Sequence, residues 1–171
     1  LLFFAVLTAF AAFGFAPAAA KTEPELVSSC KSAYLCDWRS GTAVYGKEEL
    51  KHLPIASMCK IMTLVLCFDE IENGRLAADE AITVSEKASG MGGSQVFQET
   101  GGVYPAKELI KSICIASAND SCVAMAERIA GSETLFVKKM NERAKSLQMN
   151  DTEFVNCTGL PESGQYSCAK D

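Results

Sequence analysis

Leu53-Pro54-Ile55-Ala56-Ser57-Met58-Cys59-Lys60-Ile61-Met62-Thr63-Leu64-Val65-Leu66-Cys67-Phe68 is a proline-led segment that turns almost wholly apolar and gives way to Asn73-Gly74. An apolar run of this length after a proline predicts a helix from Ala56 to Phe68, hydrophobic nearly all round and therefore buried. Within it, Ser57 and Lys60 stand at i and i+3, which puts both side chains on one helix face. A serine hydroxyl is a poor nucleophile until a neighbouring base takes its proton. Lysine acts as that base only as the free amine, and apolar surroundings from Ile61, Met62, Leu64, Val65 and Leu66 disfavour the ammonium form.

Downstream, the helical pattern returns from Pro105, with Leu109, Ile110, Ile113 and Cys114 on one face and Pro105 suited to the first turn. This helix ends near Ser117. A second starts near Asp120, carries Val123, Met125, Ala126 and Ile129, and is capped by Gly131. A third follows Ser132, with Phe136, Met140, Ala144 and Leu147 on one stripe and Asn150-Asp151 as its exit. The middle of the chain is thus a helical layer, and Ser117-Ala118-Asn119 sits at the junction of two of its helices.

Taken alone, Ser57-x-x-Lys60 reads as a helix cap followed by a solvated lysine, and Ser117-x-Asn119 as an ordinary junction. In this order, with helices on either side, they describe an active-site serine acyltransferase. Such sites are normally completed by a Lys-Thr-Gly triplet, and none occurs before Asp171.

Upstream, Lys31 to Cys36 and Thr42 to Tyr45 are short β-type runs around Arg39-Ser40-Gly41 and predict an antiparallel hairpin. Ala81-Ile82-Thr83-Val84 is β-like. Gly90-Met91-Gly92-Gly93-Ser94 lacks the spacing of a phosphate cradle and reads as a loop. Residues 1–20 are apolar and end in Ala16-Pro17-Ala18-Ala19-Ala20, a pattern that predicts an export signal; Pro17 and the polar Lys21-Thr22-Glu23 argue against a membrane anchor. With no initiator methionine and no basic n-region, the chain starts inside its leader, and truncation at both ends is expected. This leaves residues 21–171 as a partial catalytic domain.

The 171 residues suffice for one domain, and the net charge of −5, with both signs mixed along the chain, offers no basic stripe for nucleic acid. Eight cysteines in an exported chain raise the prospect of disulfides whose pairing sequence alone leaves open. Zinc is disfavoured, since there is no Cys-x-x-Cys and His52 is the sole histidine. Cys59, Cys67, Cys114 and Cys122 fall in apolar helical patterns and are expected as buried thiols. Cys157 and Cys168, in a loop-like tail, are the pair to test for a bridge. No metal or organic cofactor is expected.

Leu53 to Thr63, Ile115-Ala116-Ser117-Ala118-Asn119-Asp120, Phe136 to Asn141 and Thr152 to Pro161 together resemble the low-molecular-mass penicillin-binding proteins, the serine D-alanyl-D-alanine carboxypeptidases of peptidase family S11. The resemblance implies an α/β (α+β) architecture of the β-lactamase/transpeptidase type, an antiparallel sheet packed against a helical layer, truncated here at its C-terminus. It implies that Ser57 attacks a peptidoglycan stem peptide at the penultimate D-alanine and forms an acyl-enzyme. Lys60 then accepts the serine proton, Ser117 relays a proton to the departing D-alanine, and Asn119 positions Lys60 and the substrate amide. β-Lactams are expected to acylate Ser57 as inhibitors, on the outer face of the cytoplasmic membrane, in the periplasm or in the cell wall. Family members often end in an amphipathic membrane-anchoring helix, which leaves room for peripheral attachment through a segment absent from this chain.

The chain departs from the family pattern in three places. Cys59 replaces a threonine but points away from the Ser57/Lys60 face, and Cys157 replaces a proline in a turn. The absent Lys-Thr-Gly strand would bind the terminal carboxylate and supply an oxyanion-hole donor, whose loss alone costs about two to three powers of ten in rate. The substrate-binding residues are therefore unassigned, a chain ending at Asp171 is expected to be inactive or nearly so, and the hairpin is expected to lack a full sheet to join. Alternatives of the same site chemistry are a serine β-lactamase, faintly suggested by Glu153 with Asn156, a D,D-endopeptidase, or a non-catalytic wall-binding relic.

Overall fold

A computed structural model describes residue 26 and residues 29–171; the expected leader lies outside them. In chain order the elements are β1 (Ala33–Cys36), β2 (Ala43–Lys47), a 3-10 turn (Ala56–Met58) running into α1 (Cys59–Glu72), β3 (Ala81–Thr83), α2 (Glu86–Ser89), β4 (Val103–Pro105), α3 (Ala106–Ala116), α4 (Asn119–Ala130) and α5 (Glu133–Ser146).

α4 is the axis of the packing, because its residues from Asn119 to Ala126 are all buried. Alanine, serine and cysteine at many of these positions let α1, α2, α3, α5 and β3 close on it from several sides. α3 contributes Leu109, Ile110 and Ile113, and α5 the stripe Phe136, Met140 and Ala144. Each large apolar side chain buried in this way contributes roughly 1.5–3 kcal/mol. Leu147, expected on the same stripe, instead follows the last turn of α5 and is about half exposed.

Helix boundaries follow local chemistry. Ser132 caps α5 by accepting the Leu135 N–H at 3.2 Å, and Gly131 ends α4 at φ +80°, where a Cβ would be strained. Ser85 caps the single turn of α2 by accepting the Ala88 N–H at 3.0 Å. Neither α2 nor β4 was anticipated, since three or four residues are too few to show a period.

α1 corrects the expectation of a helix buried all round. Cys59, Lys60, Met62, Thr63, Leu66 and Cys67 are buried, whereas Met58, Ile61 and Phe68 are exposed and Leu64 and Val65 half-buried. Ile61 therefore gives Lys60 no apolar cover. The expected single sheet is, among the described residues, two two-stranded antiparallel ones. β3–β4 pairs Ile82 with Tyr104 and packs on α3 and α4. The predicted hairpin β1–β2 forms with a register shift at Leu35/Cys36, and Leu35, Trp38 and Val44 stay in solvent.

The cysteines also depart from expectation. Cys59, Cys67 and Cys122 are buried thiols, but Cys114 is exposed, because it lies on the flank of α3 beside the exposed Ile115. Cys157 and Cys168 are both buried and free, so the bridge considered for them is not formed. The Cys157 thiol donates to Glu133 Oε1 at 3.4 Å instead.

Candidate active site

Ser57 lies in the 3-10 turn that leads into α1, exposed, and follows Ala56, whose φ of +47° is unusual for a residue with a side chain. Lys60, one turn further, is only 4% exposed. Its Nζ donates to Ser57 Oγ at 3.3 Å and to the Thr158 carbonyl at 2.6 Å. The predicted pairing of serine and lysine is therefore formed, and a buried backbone oxygen fixes the amine.

That oxygen arrives on a segment docked against α1 by three successive carbonyls. Asn156 O accepts from the Cys59 thiol at 3.3 Å, Cys157 O from Thr63 Oγ1 at 2.8 Å, and Thr158 O from Lys60. The Asn156 side chain shapes the segment, its Oδ1 accepting the Thr158 and Gly159 N–H groups at 3.2 and 2.8 Å. Gly159, at φ +82°, is required here: a Cβ would lie 1.9 Å from Ala56 O and 3.0 Å from Ser57 N. Asn156, Thr158 and Gly159 thus build the surroundings of Ser57 and Lys60, whereas sequence reasoning gave Asn156 only a faint β-lactamase reading and Thr158 and Gly159 no individual role. The only signal was the Asn-Cys-Thr-Gly turn chemistry.

Ser117 occupies the left-handed C-cap of α3 at φ +55°. Its Oγ is buried and has no hydrogen-bond partner, and the same holds for Asn119 Oδ1. Leaving such an atom unpaired costs about 1–3 kcal/mol, so two at one turn are a local departure from the pairing usual for buried polar atoms. Asn119 Nδ2 donates to Gly92 O at 2.7 Å and its backbone N–H to Ser94 O at 2.7 Å. The expected contact from Asn119 to the Lys60 head group is not among the hydrogen bonds of the described residues; Thr158 O takes that place. At Gly93 the second motif comes close to the segment beside Gly159: a Cβ there would lie 2.8 Å from Asn119 Nδ2 and 3.3 Å from Leu160 Cδ2. A cavity of about 410 Å³ opens beside this junction, lined by Pro54, Ile55, Ala56, Gly159, Leu160 and neighbours.

Three buried thiols, Cys59, Cys122 and Cys157, lie close to one another. Burial pushes Cys59 up to about 12 and holds Cys122 and Cys157 well above an ordinary thiol, so all three stay protonated and unreactive at neutral pH. Burial also raises the Glu133 carboxyl, but hydrogen bonds from Lys87 and from the Cys157 N–H and thiol outweigh it and leave Glu133 below its usual range. Glu153, considered above for a deacylating role, is exposed and pairs through its backbone with Tyr166. A larger cavity, about 480 Å³, lies along α1 and α5 among the ion pairs Glu70–Arg75 and Asp69–Arg143 and holds no unpaired nucleophile.

Metal-ligand chemistry appears once among the described residues, where Asp151, Cys168 and Asp171 bring one donor atom each within 4.8 Å of one another. His52 Nε2 lies 3.0 Å from Asp151 Oδ1. Only Cys168 and Asp171 are close in sequence and the fold brings Asp151 to them, so spacing gave no hint of the cluster, and it shares no residue with the serine site.

Comparison with known proteins agrees with the geometry. The family profile described as D-alanyl-D-alanine carboxypeptidase, peptidase family S11, matches residues 18–171. D-alanyl-D-alanine carboxypeptidase DacF of Bacillus subtilis is 45% identical over 166 residues, covering 97% of this chain and 43% of that protein. The crystal structure of D-alanyl-D-alanine carboxypeptidase DacD from Francisella tularensis superposes with a TM-score of 0.82 at 34% identity, over 85% of this chain and 35% of that one. Penicillin-binding protein D2 of Listeria monocytogenes, solved in an ampicillin-bound form, gives a TM-score of 0.75 at 28% identity, over 86% of this chain and 60% of that one. The chain therefore spans less than half the length of its curated relative, and the elements it contains follow the penicillin-binding fold. With a matching profile over nearly all its residues and the serine and lysine of the first motif in hydrogen-bond contact, the chain belongs to the D-alanyl-D-alanine carboxypeptidase family, peptidase family S11.

Proposed function

We propose that the protein of which this chain is part is a serine D-Ala-D-Ala carboxypeptidase that trims peptidoglycan stem peptides outside the cytoplasmic membrane. The observation that carries the reading is the buried Lys60 amine, anchored on Thr158 O and in contact with Ser57 Oγ. As the free amine, Lys60 takes the Ser57 proton while Oγ adds to the carbonyl of the penultimate D-alanine. The tetrahedral adduct collapses with cleavage of the C–N bond, and the unpartnered Ser117 hydroxyl passes its proton to the departing D-alanine amine and takes up in its place the proton that Lys60 received from Ser57. Asn119 presents its free Oδ1 toward an incoming amide. Water then cleaves the acyl ester and restores Ser57. A β-lactam follows the same first step, but its leaving amine stays tethered to the acyl group.

The test uses the full-length protein. A fluorescent penicillin should label it covalently, and D-alanine should be released from a D-Ala-D-Ala-terminated peptide. Ser57→Ala should abolish both. Labelling that survives Ser57→Ala would refute the assignment, and rapid multiple turnover of penicillin would move it to a β-lactamase.

A further inference from the structure

Phe97 stands in a backbone conformation that phenylalanine avoids, at φ +57°. Such a conformation is strained and persists only where the surroundings impose it. Burial does not offset it, since the residue is 81% exposed. Asp120 imposes it: its fully buried carboxylate accepts the backbone N–H groups on both sides of Phe97, from Val96 at 3.1 Å and Gln98 at 3.2 Å. Two further bonds fasten the same stretch to the start of α4. The buried Gln98 side chain donates to Ser121 Oγ at 2.7 Å, and Ser94 O accepts the Asn119 N–H at 2.7 Å.

Residues 94–98 are therefore clamped to the turn that carries Ser117 and Asn119, and the clamp holds a large apolar ring out in water. Among the described residues with a side chain at positive φ, Phe97 is the one exposed large hydrophobic. We propose that Phe97 is a specificity-determining residue, an apolar platform at the rim of the serine site that contacts the apolar part of the acyl donor. The inference rests on the carboxypeptidase reading of Ser57 above. A flat aromatic surface suits an aromatic or aliphatic acyl substituent and does nothing for a donor that lacks one.

The experiment measures acylation rate constants of the full-length protein by benzylpenicillin, which carries an aromatic acyl side chain, and by 6-aminopenicillanic acid, which carries none, alongside thermal melting. Phe97→Ala and Phe97→Gly should slow benzylpenicillin about three- to tenfold and 6-aminopenicillanic acid by less than about twofold. Phe97→Gly should melt no lower than wild type, because it relieves the strained φ. Equal slowing of both compounds, an unchanged ratio, or a marked loss of melting temperature in Phe97→Gly would overturn the proposal. A wild-type protein that takes no label from either compound overturns the carboxypeptidase reading and this inference with it; a labelled wild type whose variants keep its ratio overturns this inference alone.

Discussion

At the scale of single residues, the serine site depends on a glycine as much as on its nucleophile. Gly159→Ala would drive a Cβ into the Ala56 carbonyl, backbone against backbone, where no side chain can swing aside. The expected outcome is destabilisation by more than about 2 kcal/mol together with loss of penicillin labelling, read by urea unfolding and gel fluorescence. Thr63→Val should be milder: it keeps the shape but removes the bond to Cys157 O, costing about 1–2 kcal/mol while labelling persists in the absence of denaturant. Ser57 and Lys60 were legible in the sequence because their geometry is local, set by three residues of helix. The anchor of Lys60 was not, because Thr158 is 98 positions away and only the folded chain brings it there.

At the scale of elements, legibility followed length and capping. α3, α4 and α5 were readable because eleven to fourteen residues display a full apolar stripe and because Gly131 and Ser132 mark the junction between the last two. α1 was readable as a helix but not in its burial, since a segment apolar on every side does not say which side will be covered. The capping assignment has a direct check. Ser132→Ala should remove about 1 kcal/mol of stability, seen as a lower urea midpoint at constant slope, and leave penicillin acylation unchanged.

At the scale of the whole molecule, burial decides the behaviour of groups that composition alone leaves undifferentiated. The eight cysteines divide into two exposed thiols, Cys36 and Cys114, one half-buried, Cys30, and five buried. A colourless-to-yellow thiol reagent should therefore react quickly with Cys36 and Cys114, more slowly with Cys30, and with the other five only in denaturant. Rapid reaction of all eight in native buffer would contradict the packing. The Glu133–Lys87 pair, 2.6 Å apart where α5 begins near α2, sets an acid limit. Because the folded Glu133 carboxyl is held below its ordinary value of 4.5, its contribution is fully present above that pH and is lost as pH falls through the depressed folded value. Glu133→Gln should flatten the loss of stability below about pH 4.5, measured by denaturant midpoints across the acid range.

The bond from Lys60 to Thr158 also has a consequence for how the protein can be assayed. On the mechanism proposed above, an amine seated by a carbonyl 98 positions downstream is in place beside Ser57 only once that part of the molecule has folded. In the full-length protein the covalent stoichiometry of a penicillin probe is therefore expected to count correctly assembled molecules, and its titration against urea to trace a folding curve read at one hydroxyl.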